Sequence, residues 1–551
     1  MPRSVRPVLP VVKLHTDQPA FATLTMGAIG STTTRYWDDG SYCWDWISPM
    51  SHSISLADFS DFCAVAPSPQ LRERLQQAAA DAPADVRPLL GITGTPKHFG
   101  FNDGVIIPAD RFPLGSSAMT IRRAASQRAP LRGPVRVAVV LVEFSDKQLN
   151  ETGDHFRELF FAADNPGSVT NYYKEVTGGL VEITGDVVGP YTMPQTLAWY
   201  ANGNFGIGNP SGEPRANILA HDAAVAADAD VDFTPYDNDG NGYVDAFVVV
   251  HAGSGGEETG NPGDIWSHKW VLPAEYQADA THIYAYLTIP EDAKLGVSAH
   301  ELGHLLFGFP DLYDTDYTSE GIGNWCLMAG GSWNGGGDRP AHPSAWCKAN
   351  QGWVSVTNVT ASTSLSIDDV KNSRTVYRLW TNGAAGSEYF LLENRQRTEF
   401  DDGLPSDGLL IWHIDEKQGD NTDESHYLVG LLQADGARDL ERKVNRGDVG
   451  DPFPGSVDNR KLDGTTTPST ISYSGQGSEV AVLDISDSGA TMTASVRVST
   501  TSDDGGTGDV AARLAKIESR LTQLQNVLAA AGNDLTRAGE EPSAWSARPK
   551  I

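Results

Sequence analysis

The sequence predicts an α+β domain built on a mixed sheet, followed by an all-β module and a short C-terminal helix. Three observations carry this. Residues 135–144, Val-Arg-Val-Ala-Val-Val-Leu-Val-Glu-Phe, form a nearly continuous β-branched apolar run. Such a run marks a strand buried on both faces, hence a central strand with helices packed against its sheet. From about residue 355 the pattern changes to short alternating strands separated by Gly, Asp and Asn turns. Beyond a Ser/Thr/Asp/Gly linker at 499–508, Leu514, Ile517, Leu521, Leu524 and Leu528 repeat at heptad spacing.

At 551 residues the chain is too long for one ordinary domain. Residues 1–130 are irregular and punctuated by proline, with a short helical stretch at 70–77 and a linker at 125–134. The apolar run at 135–144 then opens the α+β domain, 131–355, and a second run at 246–251 is expected to pair near it. Segments 388–394, 408–414 and 490–498 supply strands of the β module, 356–500. The last part, 501–551, is linker and amphipathic helix. Two heptads over 511–530 suit either a lone helix or self-association through a coiled coil.

Composition narrows the function. Hydrophobic residues make up 40% and aromatics 9%, which excludes wholesale disorder. A net charge of −30 repels phosphate backbones, so nucleic acid is not an expected partner. The same carboxylates suit solubility outside cells and binding of hard cations such as calcium. No stretch approaches ~18 consecutive apolar residues, so no transmembrane helix and no membrane partner is expected. The first thirteen residues carry Arg3 and Arg6, but Pro7 and Pro10 break the apolar patch and make a poor secretory signal. Cys43, Cys63, Cys326 and Cys347 fall into two sequence-local pairs that permit two disulfides or leave four buried thiols.

The decisive feature is His300-Glu301-Leu302-Gly303-His304. On a helix, positions i and i+4 lie on one face, so both imidazoles reach one zinc ion. Glu301 can hold the water at that metal and take its proton. Leu302, Leu305 and Leu306 supply apolar packing, and Gly308 before Pro310 is a stop signal. The bland alternative reads Ser298 to Glu301 as a capping box, which explains neither histidine. A catalytic zinc wants a third protein ligand, and Gly308 lets the backbone turn so that a later side chain folds back. Met328, in a glycine-rich turn at 325–331, resembles the Met-turn beneath the zinc of metzincins; its alternative is core filling.

Together the strand at 137–144, the segment Ser168 to Gly179, the zinc motif running into Pro310-Asp311-Leu312-Tyr313-Asp314, and Trp325 to Trp333 resemble immune-inhibitor-A-type secreted metalloproteases. The likeness continues through 388–394, 408–415 and Gln433 to Gly436, and covers roughly residues 60–460. It implies a metzincin-like zinc endopeptidase acting on proteins or peptides, made as a zymogen and working extracellularly, with residues 1–130 as pro-region. It also implies Asp311 as third zinc ligand. One departure matters: the family has glycine three and aspartate six residues after the second histidine, whereas Gly308 is four and Asp311 seven beyond His304. Asp314 and Glu320 therefore remain alternatives, and a turn role competes for Asp311. Within the pro-region Cys63 is weighed as a thiolate plug for the zinc, against a buried or bridged thiol, which is the expectation.

A second constellation, Asp237, Asp239, Asn241, Tyr243 and Asp245 with Gly242 at the sixth position, reproduces the start of an EF-hand-like calcium loop. Its twelfth position is Val248 rather than glutamate. Asp448 and Asp451 read as solvated loop charge, with another cation site as the alternative, and His251 and His268 as structural. Tyr313, Tyr317 and His342 are candidates to stabilise the oxyanion of peptide hydrolysis, and the sequence does not choose among them. The competing function is a non-catalytic binding or adhesion protein on the same scaffold, against which an intact Glu301 argues.

Overall fold

The computed structural model describes residues 63–81, 111, 129–208 and 212–498. The expectations for Cys43 and for the helix at 511–530 lie outside the described residues.

Six strands make the first sheet: β1 (Cys63–Ala64), β2 (Gly133–Glu143), β3 (Val181–Thr192), β4 (Phe247–His251), β5 (His268–Ala278) and β6 (Thr281–Pro290). Their order is β1-β5-β6-β4-β2-β3. Strand β2 pairs in parallel with β3 and β4, and β4 with β6; β5 is antiparallel to β6, and β1 to β5. The sheet is mixed, and β2 lies inside it, as its unbroken apolar run requires. Alternate residues feed opposite faces. Val135, Val137, Val139 and Leu141 enter one core, Ala138, Val140 and Val142 the other. Burying a valine stabilises by ~1.5–3 kcal/mol, which only a sheet covered on both faces recovers from such a run.

Helices cover both faces. On the first face pack α2 (Gly153–Phe161), α3 (Val169–Thr177) and α5 (Leu295–Phe307); on the second packs α4 (Ala216–Ala227). Ser168 caps α3 by accepting from Asn171 N, and Gly178 closes it in the left-handed region. Tyr173 donates its hydroxyl to Ala299 O at 2.6 Å, tying α3 to α5. The short helix expected near 70–77 is α1 (Pro69–Asp81), with Pro69 in its first turn and Ser68 Oγ accepting from Leu71 N.

The β module holds a five-stranded sheet and a three-stranded sheet. The first runs β12-β11-β10-β9-β7 and the second β13-β14-β8. Their strands are β7 (Ser355–Val359), β8 (Thr363–Asp368), β9 (Thr375–Trp380), β10 (Glu388–Arg395), β11 (Gly408–Asp415), β12 (Val429–Leu431), β13 (Ala481–Leu483) and β14 (Thr491–Arg497). Alternating burial was expected here. Instead β11 is buried along its whole length and β10 from Tyr389 onward. One face, with Leu391, Leu410 and Trp412, joins the core that contains α5. The other, with Phe390, Leu392, Leu409 and Ile411, packs on the three-stranded sheet.

Buried charge stitches the two parts together. Lys348 of α6 (Ala345–Asn350) bonds Glu393 at 2.7 Å, and Arg395 grips Asp401, whose carboxyl it holds well below the usual range against the opposing effect of burial. Asp451 is a correction: it is buried rather than solvated, and accepts from Trp325 Nε1 at 2.9 Å. Burial raises its carboxyl to about 7. Cys326 and Cys347 stand as buried thiols without a bridge.

Candidate active site

Helix α5 is entirely buried, so its polar side chains face protein rather than water. It ends at Gly308, whose φ of 65° lets Gly308 N bond His304 O and Phe309 N bond Gly303 O. That left-handed closure sends the chain back toward the histidines. The capping box does not form. The helix begins at Leu295, and Ser298 lies inside it, donating its hydroxyl to Lys294 O.

His300 Nδ1 faces Leu327 O at 2.9 Å, and His304 Nδ1 faces Phe309 O at 2.6 Å. A carbonyl can only accept, so each Nδ1 carries the proton and each Nε2 keeps its lone pair. The two Nε2 atoms lie 3.0 Å apart. Asp311 Oδ1 stands 3.1 Å from the first and 3.2 Å from the second. Three donors at zinc-bond length in tetrahedral array would be separated by about 3.3 Å. The triangle therefore fits a zinc ion closely, with donors of the kind zinc prefers. Burial pushes the His300 imidazole below its ordinary pKa, which keeps the lone pair available.

The extra residue after His304 is absorbed at the helix end, and Asp311 still reaches the histidines. The alternatives are engaged elsewhere. Asp314 accepts from Asp316 N, Ser319 N and Thr318 Oγ1, and Glu320 pairs with Arg72 and Arg446. Glu301 is fully buried beside the triangle, and neither carboxylate oxygen completes a hydrogen bond. Burial drives its carboxyl well above the usual range, opposed by nearby His304 and the Val65 amide. Met328 lies under the helix at Gly303. Tyr313 donates to the Ala64 carbonyl at 2.6 Å, with the Tyr317 ring 5.8 Å away. His342 is turned instead toward Glu175, at 2.8 Å, and its backbone N–H donates to Asp401.

The loop at 237–245 gathers Asp237, Asp239 and Asp245, one oxygen of each lying within 4.8 Å of the others. Gly242, the sixth-position glycine, sits at φ 89° in the turn. Asn241 N donates to Asp237 and Asp239, and Asn241 Oδ1 accepts from Tyr243 N. His251 and His268 are buried, His268 between Trp266 O and Tyr286 OH.

The donors lie in a stretch that is similar to known proteins. Residues 134–357 match the family described as immune inhibitor A peptidase M6, catalytic domain. This stretch resembles a peptidase M6 catalytic domain. Immune inhibitor A of Bacillus thuringiensis subsp. alesti is 31% identical over 313 residues, 46% of this chain and 44% of that protein. The pre-pro-metalloprotease PrtV of Vibrio cholerae serotype O1 is 31% identical over 235 residues, 35% of this chain and 25% of that protein. The chain thus spans less than half the length of the curated relatives it matches.

All the converging donors of α5 and its turn fall inside the M6-like domain, and so does the acidic loop. Residues 63–72 precede the M6-like domain, yet they lie against it. Cys63 Sγ is grouped with ligand atoms of His304 and Asp311, all within 4.8 Å of one another. Trp266, Trp333 and Tyr313 hold successive carbonyls of this segment. Nothing in their spacing singled out the two tryptophans, because a buried tryptophan reads as core until its N–H is seen to face a backbone carbonyl.

Proposed function

We propose that the chain is a zinc-dependent endopeptidase, with His300, His304 and Asp311 as metal ligands and Glu301 as general base. The supporting observation is the triangle of donors with edges of 3.0 to 3.2 Å beside a buried carboxylate. Bound zinc supplies Lewis-acid polarisation of the scissile carbonyl and lowers the pKa of the attacking water. Glu301 takes that water's proton and passes it to the departing amine. Its dry surroundings favour proton uptake. Tyr313 is assigned to the carbonyl oxygen, because its hydroxyl already donates to a peptide carbonyl in the cleft. The edge of β5 offers backbone groups to an extended peptide.

We further assign calcium to Asp237, Asp239, Asn241, Tyr243 and Asp245, as a brace for the turn into β4. Residues 1–130 act as a pro-region, in keeping with the name of the Vibrio relative, a pre-pro-metalloprotease. The domain limits are 131–355 for the catalytic part and 356–500 for the β module. The acidic surface suits work outside the cell on protein substrates. No observation favours the adhesion reading, since a binding shell has no use for Glu301.

The test is hydrolysis of a casein-like protein, before and after limited proteolysis of the full chain, with and without a chelator. Chelator-sensitive cleavage is expected. Cleavage of a small ester without proteolysis would redirect the reading to another acyl substrate, and cleavage indifferent to chelation would overturn it.

A further inference from the structure

An extended segment of this chain lies along the sheet edge beside the donor triangle. Strand β1 adds to the sheet edge antiparallel to β5, with Cys63 opposite Lys269 and Ala64 opposite His268. Val65 N continues the pairing to Ser267 O at 3.2 Å, and Ser68 N donates to Glu257 O at 2.8 Å. The carbonyls are held just as closely. Tyr313 OH donates to Ala64 O at 2.6 Å, Trp266 Nε1 to Val65 O at 2.8 Å and Trp333 Nε1 to Ala66 O at 2.8 Å. Arg446 donates to Pro67 O, and Arg72, one turn into α1, pairs with Glu320. Three aromatic donors therefore grip three consecutive carbonyls. That is main-chain recognition of an extended peptide, indifferent to its side chains.

The segment's own side chains add one thing more. Cys63 is 1% exposed, and its sulfur lies within 4.8 Å of a ligand atom of His304 and of Asp311, two members of the triangle. A zinc-bound thiolate and imidazole in tetrahedral array would be about 3.6 Å apart, a separation that the 4.8 Å grouping accommodates. Cysteine sulfur is a strong zinc ligand, and it would fill the position that catalysis keeps for water.

We propose that the Cys63 thiolate is the fourth ligand of the zinc held by His300, His304 and Asp311, so that residues 63–68 form a latch that occupies the cleft and displaces the water. The inference rests on the zinc reading above. On ligation the thiol gives its proton to solvent and one water leaves the metal; on release a water returns and the sulfur takes a proton. While the latch is closed, Glu301 has no water to activate. Backbone grip and sulfur ligation act together, so opening requires the segment to leave as a whole or the sulfur to be modified.

The experiment uses the full chain loaded with cobalt(II) in place of zinc. A thiolate-to-cobalt charge-transfer band in the near ultraviolet is expected in the wild type and is expected to be lost in Cys63→Ser, with one equivalent of cobalt still bound in both. Bound cobalt without that band in the wild type overturns the latch and leaves the three-residue metal site standing. A band that survives Cys63→Ser assigns the sulfur to another cysteine and also overturns it. Failure to bind any cobalt overturns the metal centre itself, and the latch with it. A second measurement needs no variant: peptide mapping after alkylation of the zinc-loaded chain. Cys63 should resist alkylation with zinc bound and gain at least tenfold in modification after chelation, whereas Cys326 and Cys347, buried elsewhere, should not change. Equal protection of Cys63 in both states means a merely buried or bridged sulfur.

Discussion

The Met328 sulfur packs against the bare backbone of Gly303, where an added β-carbon would stand 2.8 Å from Sδ. Gly303 sits between His300 and His304 in sequence, so this contact lies directly beneath the pair. Seven residues earlier, Gly296 meets a harder wall, with its missing β-carbon 1.8 Å from Ser332 O. The two glycines should respond differently to alanine. At Gly303 the Met328 side chain can swing aside, and the gain of up to ~1 kcal/mol in helix propensity offsets the crowding. At Gly296 the obstacle is backbone, so the helix or the 330–337 segment must move, at a cost of ~1–3 kcal/mol or more. Urea unfolding of the two variants should find Gly296→Ala clearly destabilised and Gly303→Ala near neutral. Equal losses would mean that α5 and the 330–337 segment are not packed as described.

Three variants separate holding the metal from using it. Glu301→Ala should keep zinc, because the donor triangle is untouched, yet lose ~10² to 10⁴-fold in peptide hydrolysis. His304→Ala and Asp311→Ala should both lose zinc, since two remaining ligands seldom retain it. Metal content and turnover on the same preparations decide the matter. A wild-type zinc content in Asp311→Ala would remove it from the ligand set despite its position.

What was legible in the chain was what depends on local periodicity. The 135–144 run demanded a strand covered on both faces, and β2 is one. The histidine spacing placed two imidazoles on one helix face, and Gly308 marked that helix's end. What depends on partners far along the chain was not legible. Strands β10 and β11 look half-buried until both neighbours are known, one carrying α5 and the other formed by β8, β13 and β14. Asp311 carried a one-residue offset that sequence counting cannot resolve, because a helix terminus absorbs or propagates an insertion according to its closing turn. Cys63 lies more than 200 positions from His304, and only the pairing of β1 with β5 brings them together.

Calcium should stabilise the folded chain by mass action at the loop that feeds β4. Asp237, Asp239 and Asp245 repel one another across less than 4.8 Å, and a divalent cation would relieve that repulsion. Thermal melts in excess calcium should therefore shift upward by several degrees, and Asp239→Ala should abolish the shift. An unchanged shift in that variant would place the calcium effect elsewhere.

The Glu175–His342 contact predicts a pH dependence of stability with a definite sign. Burial raises the Glu175 carboxyl to about 8 and holds the His342 imidazole well below its usual range. At neutral pH the pair is therefore carboxylic acid against neutral ring, and Glu175 donates its proton to His342 Nε2 across 2.8 Å. In the unfolded chain the same carboxyl returns to its ordinary 4.5. Between those two values the folded state binds more protons than the unfolded one, so this contribution is full below 4.5 and is lost as pH rises toward 8. Glu175→Gln replaces the acid with an amide that donates to the same nitrogen at every pH. The variant should match the wild type most closely near pH 5 and exceed it increasingly as pH rises toward 8. Unfolding midpoints measured on both proteins across that window provide the comparison. Asp451 and Glu257, both raised to about 7 by burial, impose slopes of the same sign, but they are common to both proteins and cancel in the difference. A difference that stays constant with pH would mean that Glu175 is ionised throughout, and that the pair is an ordinary salt bridge to a charged ring.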